Sequence, residues 1–384
     1  MTAVNNNVWG IDVGASLPVA LEVLRHGPIS RAEIGRRLGL SHASLSRLSA
    51  PLIKRGVILD IGEHYDGRVG RPSRMLDVNP SSHHFLGLKI REQEIVAAIT
   101  DLRGQIIDSS TRKIHDRSPE SLVLQVQELH RLASIKHTIT GIGIGIGAAV
   151  RERRTVISAS FLGWRDVPLA NLIEKATGAP ALVENDVVAL CEYEDWFGSA
   201  KTDSRFAVIT VGIGTGFGLV VDGQPIVNDD YGFGLVGHWP MDPTGPLCPE
   251  GHRGCAAALL NSDAIARYAT EALGSDTTFD ETVQLSLAGN LAAKRIVEDA
   301  ARGLGILVAA VCNLTLPERI IIAGEGVQLA EAGHETMLQS VAAHRAREAR
   351  TPPISYSSGD NVEWARGAAV LAIQSFALGT PVNL

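Results

Sequence analysis

The sequence predicts an α/β fold with a small helix-turn-helix unit in front of it. Three observations lead there. From about residue 81 onward, apolar segments of strand length alternate with amphipathic helical ones, the pattern of layered α/β proteins. Residues 17–56 instead show three helical periods separated by tight glycine turns. The charge is also divided: residues 1–80 hold ten Lys/Arg against seven Asp/Glu, and the remainder holds 25 against 35. A basic head on an acidic body points to a partner that meets only the head, and phosphate backbone is the commonest such partner.

The totals set the outer limits. A chain of 384 residues has room for two or three domains and a sizeable core. Its 45% apolar and 20% charged content is ordinary for a globular protein. No apolar run reaches the length of a membrane span. The start of the chain lacks a basic-then-apolar signal pattern, so a cytoplasmic location is expected. Four cysteines, with Cys191 and Cys312 far from the other two, do not form a disulfide framework.

In the head, Leu17, Ala20, Leu21 and Leu24 fall on one helical face, and Gly27-Pro28 stops the helix. Ser30-Arg31-Ala32-Glu33 has the form of a capping box opening a second helix that Gly39 ends. Ser41 can cap a third helix, with Leu45, Leu48 and Leu52 as its buried stripe. That leaves His42, Ser44 and Arg47 outward, the face a recognition helix presents to a major groove. Pro51 falls inside this helix by spacing, which predicts a kink or a helix in two parts. Two strands should follow, with Asp66–Pro72 as a wing between them. Arg68 and Arg71 at its tip suit a narrow minor groove.

In the body, Phe85–Leu88 and Ile95–Ile99 read as strands, and Leu122–Ile135 as an amphipathic helix. GIGIGIGAAV at Gly141–Val150 tempts a dinucleotide-loop reading, but strict period two predicts a strand with one packed face. Asn185-Asp186 follows a short strand, where the pair can either bind a ligand hydroxyl or cap the next helix. Gly212–Gly218, GIGTGFG, can cradle an anion on free backbone N–H groups or simply turn a tight hairpin. Arg295–Asn313 is a buried helix, and Ile320–Ala323 a buried strand ending in another glycine turn.

The stretch Gly237–Cys255 is rich in Pro and Gly and holds His238, Cys248, His252 and Cys255. A loop of this kind can be pinned by a metal ion, which offsets its ordering entropy. Without metal it would be a reduced loop held by hydrogen bonds.

Taken together these segments resemble the ROK family (repressors, open reading frames, kinases). The resemblance runs from about Leu17 to Ala377 and rests on SRAEIGRRLGLSHASLSRL, GRVGRP, GWRDVPL, ENDV, GIGTGFG and a Gly-His followed by a cysteine loop. It implies a winged helix-turn-helix over 1–80 joined to a two-lobed, actin/hexokinase-like (ribonuclease H-like) body. The first lobe would take 81–200 and be rejoined by a C-terminal helix, 366–384; the second would take 201–365. It implies a transcriptional regulator, a repressor, working on operator DNA as a homodimer or tetramer. Ser41, His42, Ser44, Arg47, Arg68 and Arg71 would form the DNA surface.

The departures from the family pattern matter as much. Family kinases open the body with an Asp-x-Gly-x-Thr phosphate loop, and Lys89 and Arg91 stand where its Asp and first Gly belong. Asp186 matches the kinases' catalytic base, but without a placed nucleotide it transfers nothing, so no enzyme is expected. An effector, a sugar or sugar derivative, would meet Asn185, Asp186 and His238. Leu235, Ala257 and Phe161 replace polar residues of the family's sugar pocket. The metal loop would hold structural zinc through His238, Cys248, Cys255 and Glu250, with Glu250 in place of the family's middle cysteine and His252 close enough to compete.

Overall fold

A computed structural model of the chain describes residues 15–64, 73–228, 230–357 and 359–379. The chain divides into two compact units, one of Met1–Phe197 with Trp364–Leu384 and one of Gly198–Glu363.

The first unit begins with α1 (Leu17–His26), β1 (Ile29–Ser30), α2 (Arg31–Leu38), α3 (His42–Lys54), β2 (Ile58–His64) and β3 (Ser73–Val78). The strands form a sheet in the order β1-β3-β2. Ser30 and Ser41 cap α2 and α3 by accepting the backbone N–H of Glu33 and Ser44. Only half of the expected capping box forms. The Glu33 carboxylate turns instead to Arg36 and Arg37, where charge-assisted bonds outweigh a return to the Ser30 N–H. Pro51 does not divide α3, which runs unbroken over 13 residues. The proline lies in the last turns, where it forfeits the bond to the Arg47 carbonyl and crowds that oxygen without ending the helix. The wing tip expected at Asp66–Pro72, with Arg68 and Arg71, lies outside the described residues.

Then come β4 (His84–Ile90), β5 (Glu94–Thr100), β6 (Ile106–Lys113), α4 (Pro119–Lys136), β7 (Ile139–Ile146), β8 (Ala149–Arg151), β9 (Thr155–Ala159), β10 (Trp164–Val167), α5 (Leu169–Thr177), β11 (Ala181–Asn185) and α6 (Asp186–Trp196). Five of the strands form one sheet, β11-β7-β4-β5-β6. The second unit holds β12 (Arg205–Thr210), β13 (Gly216–Val221), β14 (Gln224–Pro225), α7 (Ala256–Leu260), α8 (Ser262–Leu273), α9 (Phe279–Leu287), α10 (Leu291–Thr315), β15 (Arg319–Ala323), α11 (Val327–Ala332), α12 (His334–Ala343) and β16 (Ile354–Tyr356). Its sheet runs β14-β13-β12-β15-β16. Both sheets follow one plan: an antiparallel three-strand meander, then two strands added in parallel beside the first of the three.

The last helix, α13 (Asn361–Leu378), belongs to the first unit from Trp364 on. It explains the alternating glycines. β7 is the second strand of five, and Gly141–Ile146 is buried throughout, not packed on one face only. Ile142, Ile144 and Ile146 enter the core under α4 and α5. The glycines admit α13 on the other face: a Cβ on Gly143 would lie 1.8 Å from the Ala368 carbonyl oxygen, and one on Gly87 would lie 1.9 Å from that of Ala365. Val370, Ile373 and Phe376 of α13 share an apolar cluster with Val23, Leu24, Leu45 and Leu52 of the head. The head thus shares an apolar cluster with α13, Phe85 and Trp196, beside the lobe's own core under α4 and α5.

Candidate functional site

The candidate DNA surface is the N-terminal half of α3. Leu45, Ser49 and Leu52 are buried, while Ser41, His42 and Arg47 are exposed and Ser44 half-exposed. Much of the head's positive charge is already used. Arg31 pairs with Asp60, Arg36 with Glu33, and Arg37 with Glu33 and Glu22. Arg47 makes no ion pair among the described residues, so its guanidinium remains available to an external anion.

At the carboxyl end of the central sheet, Asp186 opens α6, and Lys89 of β4 donates to its carboxylate. Both side chains are nearly buried. The Lys89 ammonium also lies 4.4 Å above the Trp364 ring of α13, a favourable cation–π position. Asn185 is largely spent on structure. Its Oδ1 accepts the N–H groups of Val187 and Val188, and its Nδ2 donates to the Ala148 carbonyl.

Beside this pair lies a buried charge network that sequence reasoning missed. Arg153 is 2% exposed and donates to Glu192 at 2.7 Å. It also lies 3.4 Å from Glu184, while Gln374 of α13 donates to the second Glu192 oxygen. Burial pushes the Glu184 carboxyl up to about 7, against the pull of Arg153. Arg153 stands in RERR, which reads as a solvated turn; its positive φ of 53° aims it inward. At the far end of α6, Asp195 accepts from Arg25 of α1 at 3.1 Å, and Arg25 lies 5.8 Å from the Trp196 ring.

In the second unit, the N–H of Ile213 in the Gly212–Gly218 loop donates to the Glu325 carboxylate at 3.2 Å. The cysteine loop is folded by bridges Pro240↔Cys255 and Leu247↔Arg253. A tight turn follows Cys248: its N–H donates to the His252 carbonyl at 2.9 Å, and Gly251 takes a φ of 87°. His238, Cys248 and His252 gather their donor atoms within 4.8 Å of one another, a cluster able to hold a metal ion. Cys248 Sγ lies 3.8 Å from His238 Nδ1 and 3.6 Å from His252 Nδ1. Cys255 Sγ lies 4.0 Å from His238 Nδ1. Glu250 reaches His238 from the other side, Oε2 to Nε2 at 3.1 Å.

Burial opposes ionisation of Cys248, but the hydrogen bonds it receives from His252, the Glu250 backbone and Cys255 together outweigh it and bring the thiol down to about 7. Burial pushes the Cys255 thiol up. Both ring nitrogens of His238 are engaged inside this loop. Of the residues expected to break the family's sugar pattern, Leu235 is 65% exposed. Ala257 packs against the two cysteines, and Phe161 packs against the first lobe's core.

The sequence matches the ROK family over residues 85–375. The chain therefore belongs to the ROK family, with an actin/hexokinase-like body behind a helical head. The xylose repressor of Bacillus spizizenii (strain ATCC 23059 / NRRL B-14472 / W23) is 24% identical over 326 residues, covering 83% of this chain and 83% of that protein. A crystal structure of a ROK family transcriptional regulator, a homologue of the E. coli MLC protein, superposes with a TM-score of 0.81 at 23% identity, over 96% of this chain and 97% of that one. A ROK family glucokinase from Streptomyces griseus, solved with glucose and AMPPNP, superposes with a TM-score of 0.66 at 24% identity, over 76% of this chain and 99% of its own. At these identities the two structures establish the fold.

Among the described residues, no helix is long and apolar enough to cross a membrane.

Proposed function

We propose that the chain is a DNA-binding transcriptional regulator, a repressor, whose kinase-like body senses a ligand and does not phosphorylate it. The observation that carries this reading is the outer face of α3: an exposed Ser41, His42 and Arg47 over a buried Leu45–Leu52 stripe, in a chain of this family. The xylose repressor that spans 83% of the chain supports it. Ser41, His42, Ser44 and Arg47 meet the major groove. Arg68 and Arg71 reach an adjacent minor groove. The protein acts in the cytoplasm as a homodimer or dimer of dimers on a palindromic operator.

The Lys89 ammonium on Asp186 argues against catalysis. Phosphoryl transfer needs a placed metal–nucleotide and a free base, and here the base is paired to a lysine where an acidic residue would serve Mg²⁺. The effector is a sugar or sugar derivative that engages the Asn185–Asp186 end of α6. That helix offers a route to the head. Its first residue pairs with Lys89, and its tenth, Asp195, pairs with Arg25 of α1. An effector that binds one arrangement of α6 better than another shifts the head accordingly. Structural zinc holds the cysteine loop; its chemistry there is ligation only.

Gel-shift titration on the upstream region of the chain's own gene tests the DNA surface. Arg47→Ala is expected to lose tenfold or more in affinity, about 1–3 kcal/mol. Arg36→Ala, whose guanidinium is held by Glu33, stays within about twofold. Equal affinities for Arg47→Ala and wild type would mean that α3 is not the reading helix. ATP-dependent turnover of any hexose that Asp186→Ala abolishes would restore the kinase reading. For the route, operator binding is titrated with a panel of sugars and sugar phosphates. Arg25→Ala is expected to flatten the response by threefold or more, at a coupling of about 1 kcal/mol.

A further inference from the structure

His238 uses its two ring nitrogens on opposite sides. Nδ1 faces both cysteine sulfurs, at 3.8 and 4.0 Å, and Nε2 faces Glu250 at 3.1 Å. The two nitrogens of an imidazole point in divergent directions, so an ion held at Nδ1 is out of reach of a carboxylate hydrogen-bonded at Nε2. Glu250 is also 69% exposed at its side chain. His252 is placed differently. The turn closed by the Cys248 N–H and opened by Gly251 carries its ring back over the loop. Its Nδ1 lies 3.6 Å from Cys248 Sγ, and the two imidazoles stand 4.3 Å apart.

Metal bonds of about 2.0 Å to nitrogen and 2.3 Å to sulfur, at a tetrahedral angle, separate neighbouring donors by about 3.5 Å. The three N–S distances are 3.6, 3.8 and 4.0 Å; His238, Cys248 and His252 already lie within 4.8 Å of one another, and Cys255 joins them by moving in from beside His238.

Resting on the reading of this loop as a structural metal site, we propose that the metal is held by two histidines and two cysteines, and that Glu250 is not a ligand. His238 and His252 bind through Nδ1, Cys248 and Cys255 through their thiolates. The Glu250 carboxylate accepts the Nε2–H of His238, which fixes its tautomer and ring orientation. Sequence register puts Glu250 in the ligand position; the turn puts His252 there instead. With two thiolates, a divalent ion is neutralised inside the loop, and the carboxylate's charge remains at the surface.

The experiment uses the full-length protein, its metal content measured after purification and its Zn²⁺ affinity measured by competition with a chelator. Co²⁺ substitution then reports the donor atoms by absorption. Wild type is expected to carry one equivalent. Glu250→Gln, which keeps an acceptor for Nε2–H, should keep one equivalent, lose no more than about tenfold in affinity, and leave the Co²⁺ spectrum unchanged. His252→Ala should lose more than about 100-fold and change the spectrum in whatever metal it still takes up. Because both side chains are exposed, circular dichroism of each variant should match wild type. A Glu250→Gln protein with an altered Co²⁺ spectrum, beside a His252→Ala protein with a wild-type one, would overturn the ligand assignment alone. A wild-type protein that takes up neither Zn²⁺ nor Co²⁺ would overturn the metal reading beneath it.

Discussion

Gly141–Gly147 and Gly212–Gly218 differ in sequence at only two of seven positions, GIGIGIG against GIGTGFG, and do different work. The first runs through the inside of a sheet. Gly143 is a space: it lets the backbone of α13 approach where any side chain would collide, while Gly141 and Gly145 lie against the Ala372 and Ala368 methyl groups of the same helix. Gly145 stands in register between Lys89 on one neighbouring strand and Glu184 on the other. Charged groups held by partners therefore flank it. The second stretch leaves β12, turns and returns as β13. Ile213 and Gly214 at its turn are exposed, and the Ile213 N–H goes to Glu325. A run of glycines does not define a nucleotide loop; what packs against it does. In both places a charged side chain of the chain itself stands beside the glycines.

The widest separation between the two stretches should come from adding a methyl group to each. Gly143→Ala puts a Cβ 1.8 Å from a backbone oxygen of α13. Neither β7 nor α13 can yield locally, so a loss of more than about 3 kcal/mol is expected, read as a fall in urea midpoint or as failure to fold. A near-wild-type midpoint would break the comparison, because α13 would then not be packed against β7.

The next effect sharpens the charged side of the first stretch. Glu184 has an ordinary value of 4.5 and is raised to about 7 in the folded chain. Between these values the native state holds a proton that the unfolded chain has released. Stability therefore falls as pH rises through that window and levels off above about 7. The expected contribution is roughly 2 to 3 kcal/mol. Urea unfolding at pH 5 and pH 8 should show it as the difference between wild type and Glu184→Gln; parallel pH profiles would mean that Glu184 titrates normally.

In the second stretch the effects should be small. Gly212→Ala brings a Cβ 2.5 Å from the Glu325 carboxyl carbon. That side chain can swing away, giving up the Ile213 hydrogen bond for about 1 kcal/mol. Gly214→Ala meets nothing within 4 Å and should stay within about 0.5 kcal/mol. If Gly214→Ala proved as damaging as Gly143→Ala, the second stretch would be packed rather than open.

Much of the head was legible because its signals are local. Ser30 and Ser41 start helices, Gly27 and Gly39 stop them, and the leucine spacing of α3 fixes which face is outward. The capping box was over-read: the motif permits the return bond from Glu33, but it cannot weigh the competing pull of Arg36 and Arg37. The strands of the body were legible as apolar runs, whereas the two-sided burial of β7 was not. Period two is equally consistent with a half-exposed strand and with a strand that alternates between filling a core and making room for a helix.

By itself the sequence determined the α/β class, the helix-turn-helix, the family and the residues that break the kinase pattern, since these depend on local spacing and residue identity. Only the tertiary structure decided which charges meet. Lys89 and Asp186 are 97 residues apart, Arg25 and Asp195 are 170, and Glu192 and Gln374 are 182. Nothing in local periodicity records such pairs. Each exists because burial strips water from a charged or polar group and leaves a partner on another element as its only compensation. The same holds on a smaller scale in the cysteine loop, where a turn at Gly251, and not the order of residues, sets His252 beside Cys248 and Glu250 behind His238.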